Sequence, residues 1–116
     1  MELSPKLQNQ LAQYQQLQNQ TQLMMAQKQQ VELQVREVEK SIEELEKVDE
    51  GTTIYRSIGS ILVKAEGKEP VMNELKEKKE TLDVRLKTLD RQVENLRQKL
   101  QALQRQLAEA INAQGN

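Results

Sequence analysis

The chain has 116 residues and contains no Cys, His, Trp or Phe, which excludes zinc sites of the usual ligand sets, Ser-His-Asp triads, thiol nucleophiles and disulfides within it. Seventeen Lys and Arg nearly balance eighteen Asp and Glu, so the local basic excess that phosphate neutralisation needs is missing, against a nucleic-acid binder. At 36% hydrophobic, 2% aromatic and 30% charged, the sequence is too poor in apolar residues for a compact globular core and too balanced in charge for a typical disordered tail. Long amphipathic helices satisfy both conditions.

The first element is a helix over 4–49. Ser4 can accept from an unpaired backbone donor of the first turn, and Pro5 tolerates the first helical position. Its seam runs Leu7, Leu11, Tyr14, Leu17, Thr21, Met24, Lys28, Val31, Val35, Val38, Ile42 and Leu45, in alternating steps of three and four with one repeated three ending at Leu17. That is a heptad seam with a stammer. Residues Met1 to Pro5 have no basic stretch leading into an apolar run, and nowhere do about eighteen apolar residues follow one another. The expectation is a soluble, cytoplasmic protein with no membrane association.

The period changes over 52–64. Thr52 to Arg56 and Ser60 to Lys64 are short and β-branched, with Ser57-Ile58-Gly59 available as the turn, and this predicts a β-hairpin. Gly51 and Gly67 suit the two helix-to-strand junctions. Alternation puts Ile54 and Ile58 on one face and Tyr55 on the other, with Ile61 and Val63 opposed to Leu62, so both faces are apolar. An isolated two-stranded hairpin is marginal in water and its edges recruit other strands. Either the hairpin only caps the coil, or it builds a sheet or barrel with other subunits.

A second helix over 69–113 begins close to Pro70. Its seam is unbroken: Met72, Leu75, Lys79, Leu82, Leu86, Leu89, Val93, Leu96, Leu100, Leu103, Leu107 and Ala110. Folding back at the hairpin brings Leu45 to Leu75, Val38 to Leu82, Val31 to Leu89, Met24 to Leu96, Leu17 to Leu103 and Leu11 to Ala110. The seams coincide along their length, which predicts an intramolecular antiparallel coiled coil in a single domain, 1–116.

No chemistry-bearing motif stands out. The four glycines fit neither dinucleotide-binding nor phosphate-loop spacing, and Gly67-Lys68 is followed by Glu69, so any activity is expected to be ATP-independent. Glu43, Glu44 and Glu46 read as a solvated helix face rather than paired acid and base groups. The expectation is therefore no enzyme, no catalytic or cofactor-binding residue, no metal site and no cofactor. Lys28 and Lys79 interrupt the apolar seams; either their stems pack while the ammonium groups reach water, or they penalise wrong registers.

Charge is unevenly spread. Leu7 to Gln27 carries no charged residue, and Leu100 to Asn116 only Arg105 and Glu109, while the part of the coil nearest the hairpin is densely charged. Off-seam apolar residues, Leu3, Leu23, Met25 and Ile111, add to this uncharged stretch. Either this is simply a Gln-rich coiled coil with worn ends, or its surface of Leu, Met and amides serves transient, unselective contact with apolar chains. Leu3, Leu7, Leu11, Tyr14, Leu107, Ala110 and Ile111 are the candidate binding residues at the open end, and Ile54, Tyr55, Ile58, Gly59, Ile61, Leu62 and Val63 the candidate oligomerisation residues.

The run from Val48-Asp49-Glu50 through Thr53-Ile54-Tyr55-Arg56-Ser57-Ile58-Gly59-Ser60-Ile61-Leu62-Val63-Lys64, set between heptad helices, closely resembles the archaeal-type prefoldin beta subunits. The opening Leu11-Ala12-Gln13-Tyr14-Gln15-Gln16-Leu17-Gln18 is similar to the same family's first helix. The resemblance implies a mainly α fold, a long antiparallel two-helix coiled coil joined by one β-hairpin that assembles into an intersubunit β-barrel platform. It further implies a hexamer of two alpha-type and four beta-type subunits, an ATP-independent holdase whose coil tips bind unfolded clients and pass them to a group II chaperonin. The plain ending Ala113-Gln114-Gly115-Asn116 departs from it and leaves little tail. A self-assembling structural or filament-forming coiled coil is the alternative; an RNA-gripping arm would need a basic stripe, and the uncharged half lacks one.

Overall fold

The structure, a computed structural model, describes residues 3–115, with side chains through Ala113. Met1, Glu2 and Asn116, which bound the expected domain and the plain C-terminal ending, lie outside the described residues. In chain order the elements are helix α1 (Pro5–Glu46), strands β1 (Tyr55–Ile58) and β2 (Ile61–Lys64), and helix α2 (Lys68–Gly115). The fold is mainly α.

α1 starts as its sequence predicts. Ser4 is the N-cap: its Oγ accepts from the Leu7 amide at 3.1 Å and its carbonyl from the Gln8 amide at 2.9 Å. The other end comes three residues before the expected 49. The Lys47 and Val48 amides bond three residues back, to Glu44 and Leu45, and this tightened last turn ends the helix at Glu46. α2 begins one residue earlier than expected, at Lys68, so Pro70 falls in the first turn, where a missing amide hydrogen costs nothing.

The chain forms two compact units, one of residues up to Gln29 with those from Lys87, the other of Gln30–Leu86. In the first, the α1 seam from Leu7 to Lys28 and the α2 seam from Leu89 to Ala110 are buried or half-buried at every position, with Leu7 and Val93 each 2% exposed. Leu17 and Leu103 line one groove, as their expected pairing requires. Thr21 is buried, and its hydroxyl donates to the Leu17 carbonyl at 2.7 Å, so a polar seam residue needs no partner from α2.

In the second unit Val31, Val35, Val38 and Leu45 of α1 and Leu82 of α2 are buried, and Leu45 and Leu75 line one groove. The seam lysines do more than reach water. Lys28 meets Asp90 of α2 at 2.7 Å in the first unit, and Lys79 meets Glu39 of α1 at 3.9 Å in the second. Each crosses to a carboxylate on the facing helix in the same antiparallel register. Both pairs are partly solvated, so each contributes at most ~1 kcal/mol.

β1 and β2 pair antiparallel, with Tyr55 opposite Lys64, Arg56 opposite Val63, Ser57 opposite Leu62 and Ile58 opposite Ile61. The turn is therefore Gly59-Ser60, not the expected Ser57-Ile58-Gly59. Gly59 has φ of 61°, the left-handed value that the first position of a type II′ turn demands, and such two-residue turns match the twist of the strands they join. Thr52 and Thr53 precede the strand, held by a turn in which the Thr52 amide donates to the Asp49 carbonyl at 3.0 Å. Gly51 and Gly67 do not take left-handed conformations, and a β-carbon on either would meet nothing within 4 Å, so neither junction needs a glycine.

Candidate functional site

Two surfaces correspond to the candidate residues, one in each unit. On the hairpin, the register sorts side chains into two faces: Arg56, Ile58, Ile61 and Val63 on one, Tyr55, Ser57, Leu62 and Lys64 on the other. Leu62 is 71% exposed, Tyr55 and Ile61 each 59%, and Ile58 56%. Water-facing apolar residues on both faces of so short a sheet have no role in a lone chain.

Backbone groups are open as well. The Ala65 amide donates to the Ile54 carbonyl at 2.8 Å, which makes that rung a hydrogen-bonded one. By alternation, Arg56 with Val63 and Ile58 with Ile61 are also bonded rungs, so the amides and carbonyls of Tyr55, Ser57, Leu62 and Lys64 point outward along the two edges. Among the described residues the sheet has two strands and no further strand meets either edge.

Ile54 behaves differently from the other six hairpin candidates. It is half-buried and lines an apolar groove of about 450 Å³ with Leu45, Val48, Val71 and Leu75, so it anchors the hairpin to the helices. Gly59 contributes the turn rather than surface. Arg56 reinforces the anchor through an ion pair with Glu74 of α2 at 2.6 Å. Arg56, Ala65, which is buried, and Lys68, which donates to the Glu46 carbonyl that ends α1 and to the Val48 carbonyl beyond it, were not singled out by periodicity, because their partners are remote in sequence.

In the other unit the coil end opens into a cleft of about 910 Å³ lined by the N-cap Ser4, by Lys6, Leu7 and Gln10 of α1, and by Gln106, Glu109, Ala110 and Ala113 of α2. Its lining mixes Leu7 and two alanines with two glutamines and a serine, and carries one cation and one anion. Of the seven candidates here, Leu7 and Ala110 line this cleft. Leu3 and Ile111 are exposed, Leu11 and Tyr14 are half-buried, and Leu107 is buried at 6%. Leu7 and Leu107 therefore become available only when the terminal turns open. Among the described residues no group of carboxylates is placed to hold a metal ion, and no helix is long and apolar enough to cross a membrane.

A two-helix coil interrupted by one open-edged apolar hairpin defines a coiled-coil subunit rather than a self-sufficient domain. Known proteins share this plan. The family model described as prefoldin subunit matches residues 8–114. The prefoldin subunit beta of Archaeoglobus fulgidus is 49% identical over 97% of this chain and 97% of its own length, and that of Thermococcus onnurineus is 44% identical over 94% and 93%. The crystal structure of the prefoldin beta subunit from Thermococcus strain KS-1 superposes with a TM-score of 0.86 at 38% identity, covering 94% of this chain and 95% of that one.

The chain belongs to the prefoldin subunit family, and its likeness is to the archaeal beta subunits. Its function is that of a prefoldin chaperone, and the filament-forming alternative is not favoured. Family membership implies assembly with other prefoldin subunits.

Proposed function

We propose that this chain is one of four beta-type subunits in a hexamer with two alpha-type subunits, joined through a β-barrel platform of hairpins that includes Tyr55, Ile58, Ile61, Leu62 and Val63. The assembly is ATP-independent and non-enzymatic, works in the cytoplasm, holds unfolded proteins at the coil ends and passes them to a group II chaperonin. The observation that carries this reading is the hairpin, whose two apolar faces and two open edges can be satisfied together only by other strands.

Client holding follows from the character of the coil end. Leu3 and Ile111 present apolar surface continuously, and fraying of the terminal turns adds Leu7, Leu11, Tyr14, Leu107 and Ala110. Each large side chain re-buried against a client contributes ~1.5 to 3 kcal/mol, and several coil ends on one platform turn weak contacts into avidity. The test is to mix the chain with an alpha-type subunit, measure the mass in solution, and assay suppression of aggregation of a denatured protein without ATP. A mixture that stays monomeric, or an oligomer without holding activity, refutes the proposal.

A further inference from the structure

At the end of α1 the tightened last turn occupies the Glu44 and Leu45 carbonyls, and neither a basic residue in that turn nor a left-handed residue after it serves the carbonyls that follow. The last turn of α1 contains no basic residue, and among the described residues Gly59 in the hairpin turn is the one with positive φ, so no left-handed residue caps α1. The Glu46 carbonyl that ends α1 and the Val48 carbonyl just beyond it accept instead from Lys68, whose Nζ donates at 3.1 Å and 2.7 Å respectively. Lys68 is itself the first residue of α2. A cation there opposes the dipole of its own helix, so the position makes sense only through the neighbouring helix it closes.

The same segment carries the hairpin. Lys68 ties the chain leaving α1 to the chain entering α2; inside this tie the Ile54–Ala65 rung closes the hairpin's base, and the Arg56–Glu74 pair fastens the hairpin to α2. The geometry points to Lys68 as the positioning residue of the assembly hairpin. By holding both exits of the hairpin segment together it pre-orders the open edges at Tyr55, Ser57, Leu62 and Lys64, so a neighbouring hairpin-bearing subunit does not have to order them on binding. The clamp is a local property of this chain. Its consequence for assembly rests on the function proposed above.

The full-length variants Lys68→Met and Lys68→Arg separate donor loss from change of shape. Met keeps a long flexible stem without donors; Arg keeps a cation with donors. In the free chain, amide hydrogen exchange of Ala65 and the hairpin should be about tenfold faster in Lys68→Met, equivalent to ~1.4 kcal/mol, with helix content by circular dichroism unchanged. The concentration midpoint for assembly with an alpha-type subunit should rise by a similar factor, about tenfold, and Lys68→Arg should stay close to the parent in both measurements. Unchanged exchange in Lys68→Met, or faster exchange with an unchanged assembly midpoint, overturns the assignment. So does an Arg variant as impaired as the Met variant. An Ile61→Lys/Val63→Lys control that still assembles would instead count against the hairpin as the assembly element, and the exchange measurement would still decide whether Lys68 holds it.

Discussion

Replacing Ile61 and Val63 together by Lys should dismantle the oligomer and leave the coil standing. The two residues share a hairpin face and are 59% and 40% exposed in the single chain, so roughly half of each side chain remains for a partner to cover. Full burial of such side chains is worth ~1.5 to 3 kcal/mol each, and the uncovered fractions together amount to ~1.5 to 3 kcal/mol per interface. Losing that much weakens an interface by ~10- to 150-fold, before counting the desolvation of two ammonium groups. Neither residue belongs to the seams, so the helices should persist. Sedimentation velocity with an alpha-type partner, beside far-ultraviolet circular dichroism, reads both effects at once. An oligomer of parental mass at the parental concentration would refute the reasoning.

Three further outcomes follow from the coil. Leu89→Ala removes a seam side chain that is 5% exposed and should cost ~2 to 5 kcal/mol in chemical unfolding; a loss below ~1 kcal/mol would mean that the site is not tightly packed. Cysteines replacing Lys28 and Asp90, which meet across the two helices, should be joined within one chain by a short bifunctional maleimide; products linking only different chains would contradict the intramolecular pairing. Deleting residues 1–10 and 107–116 should preserve the oligomer and abolish suppression of aggregation. Full suppression by that shortened, assembled form would move client binding to the hairpin platform or the inner coil.

Much of this fold was legible because heptad burial is a local, additive signal. Every seam position chosen by spacing, from Leu7 to Leu45 and from Met72 to Ala110, is buried or half-buried, including Thr21 and the two lysines. The hairpin was legible by composition but its turn was not. Ser57-Ile58-Gly59 and Gly59-Ser60 are both plausible turns in isolation, and the register of Ile58 with Ile61 decides between them. The cap of α1 was invisible for a related reason, since Lys68 lies more than twenty residues from the Glu46 carbonyl that it closes. At the coil end, composition identified an uncharged stretch, but could not separate the exposed Leu3 and Ile111 from the buried Leu7 and Leu107.

The outward-pointing backbone of Tyr55, Ser57, Leu62 and Lys64 also bears on the life of a newly made copy. Until it finds partners, such a chain offers a template on which any extended polypeptide, including another orphan copy, can add a strand. Two properties limit the hazard. Each strand is only four residues long, too short to seed an extended stack, and Lys64 closes the second strand as a charged gatekeeper beside Leu62 and Val63. Lengthening either strand by an apolar pair, or neutralising Lys64, would therefore shift an orphan copy from waiting for its complex toward self-aggregation. The brevity of the strands leaves a waiting subunit little template on which such a stack could grow.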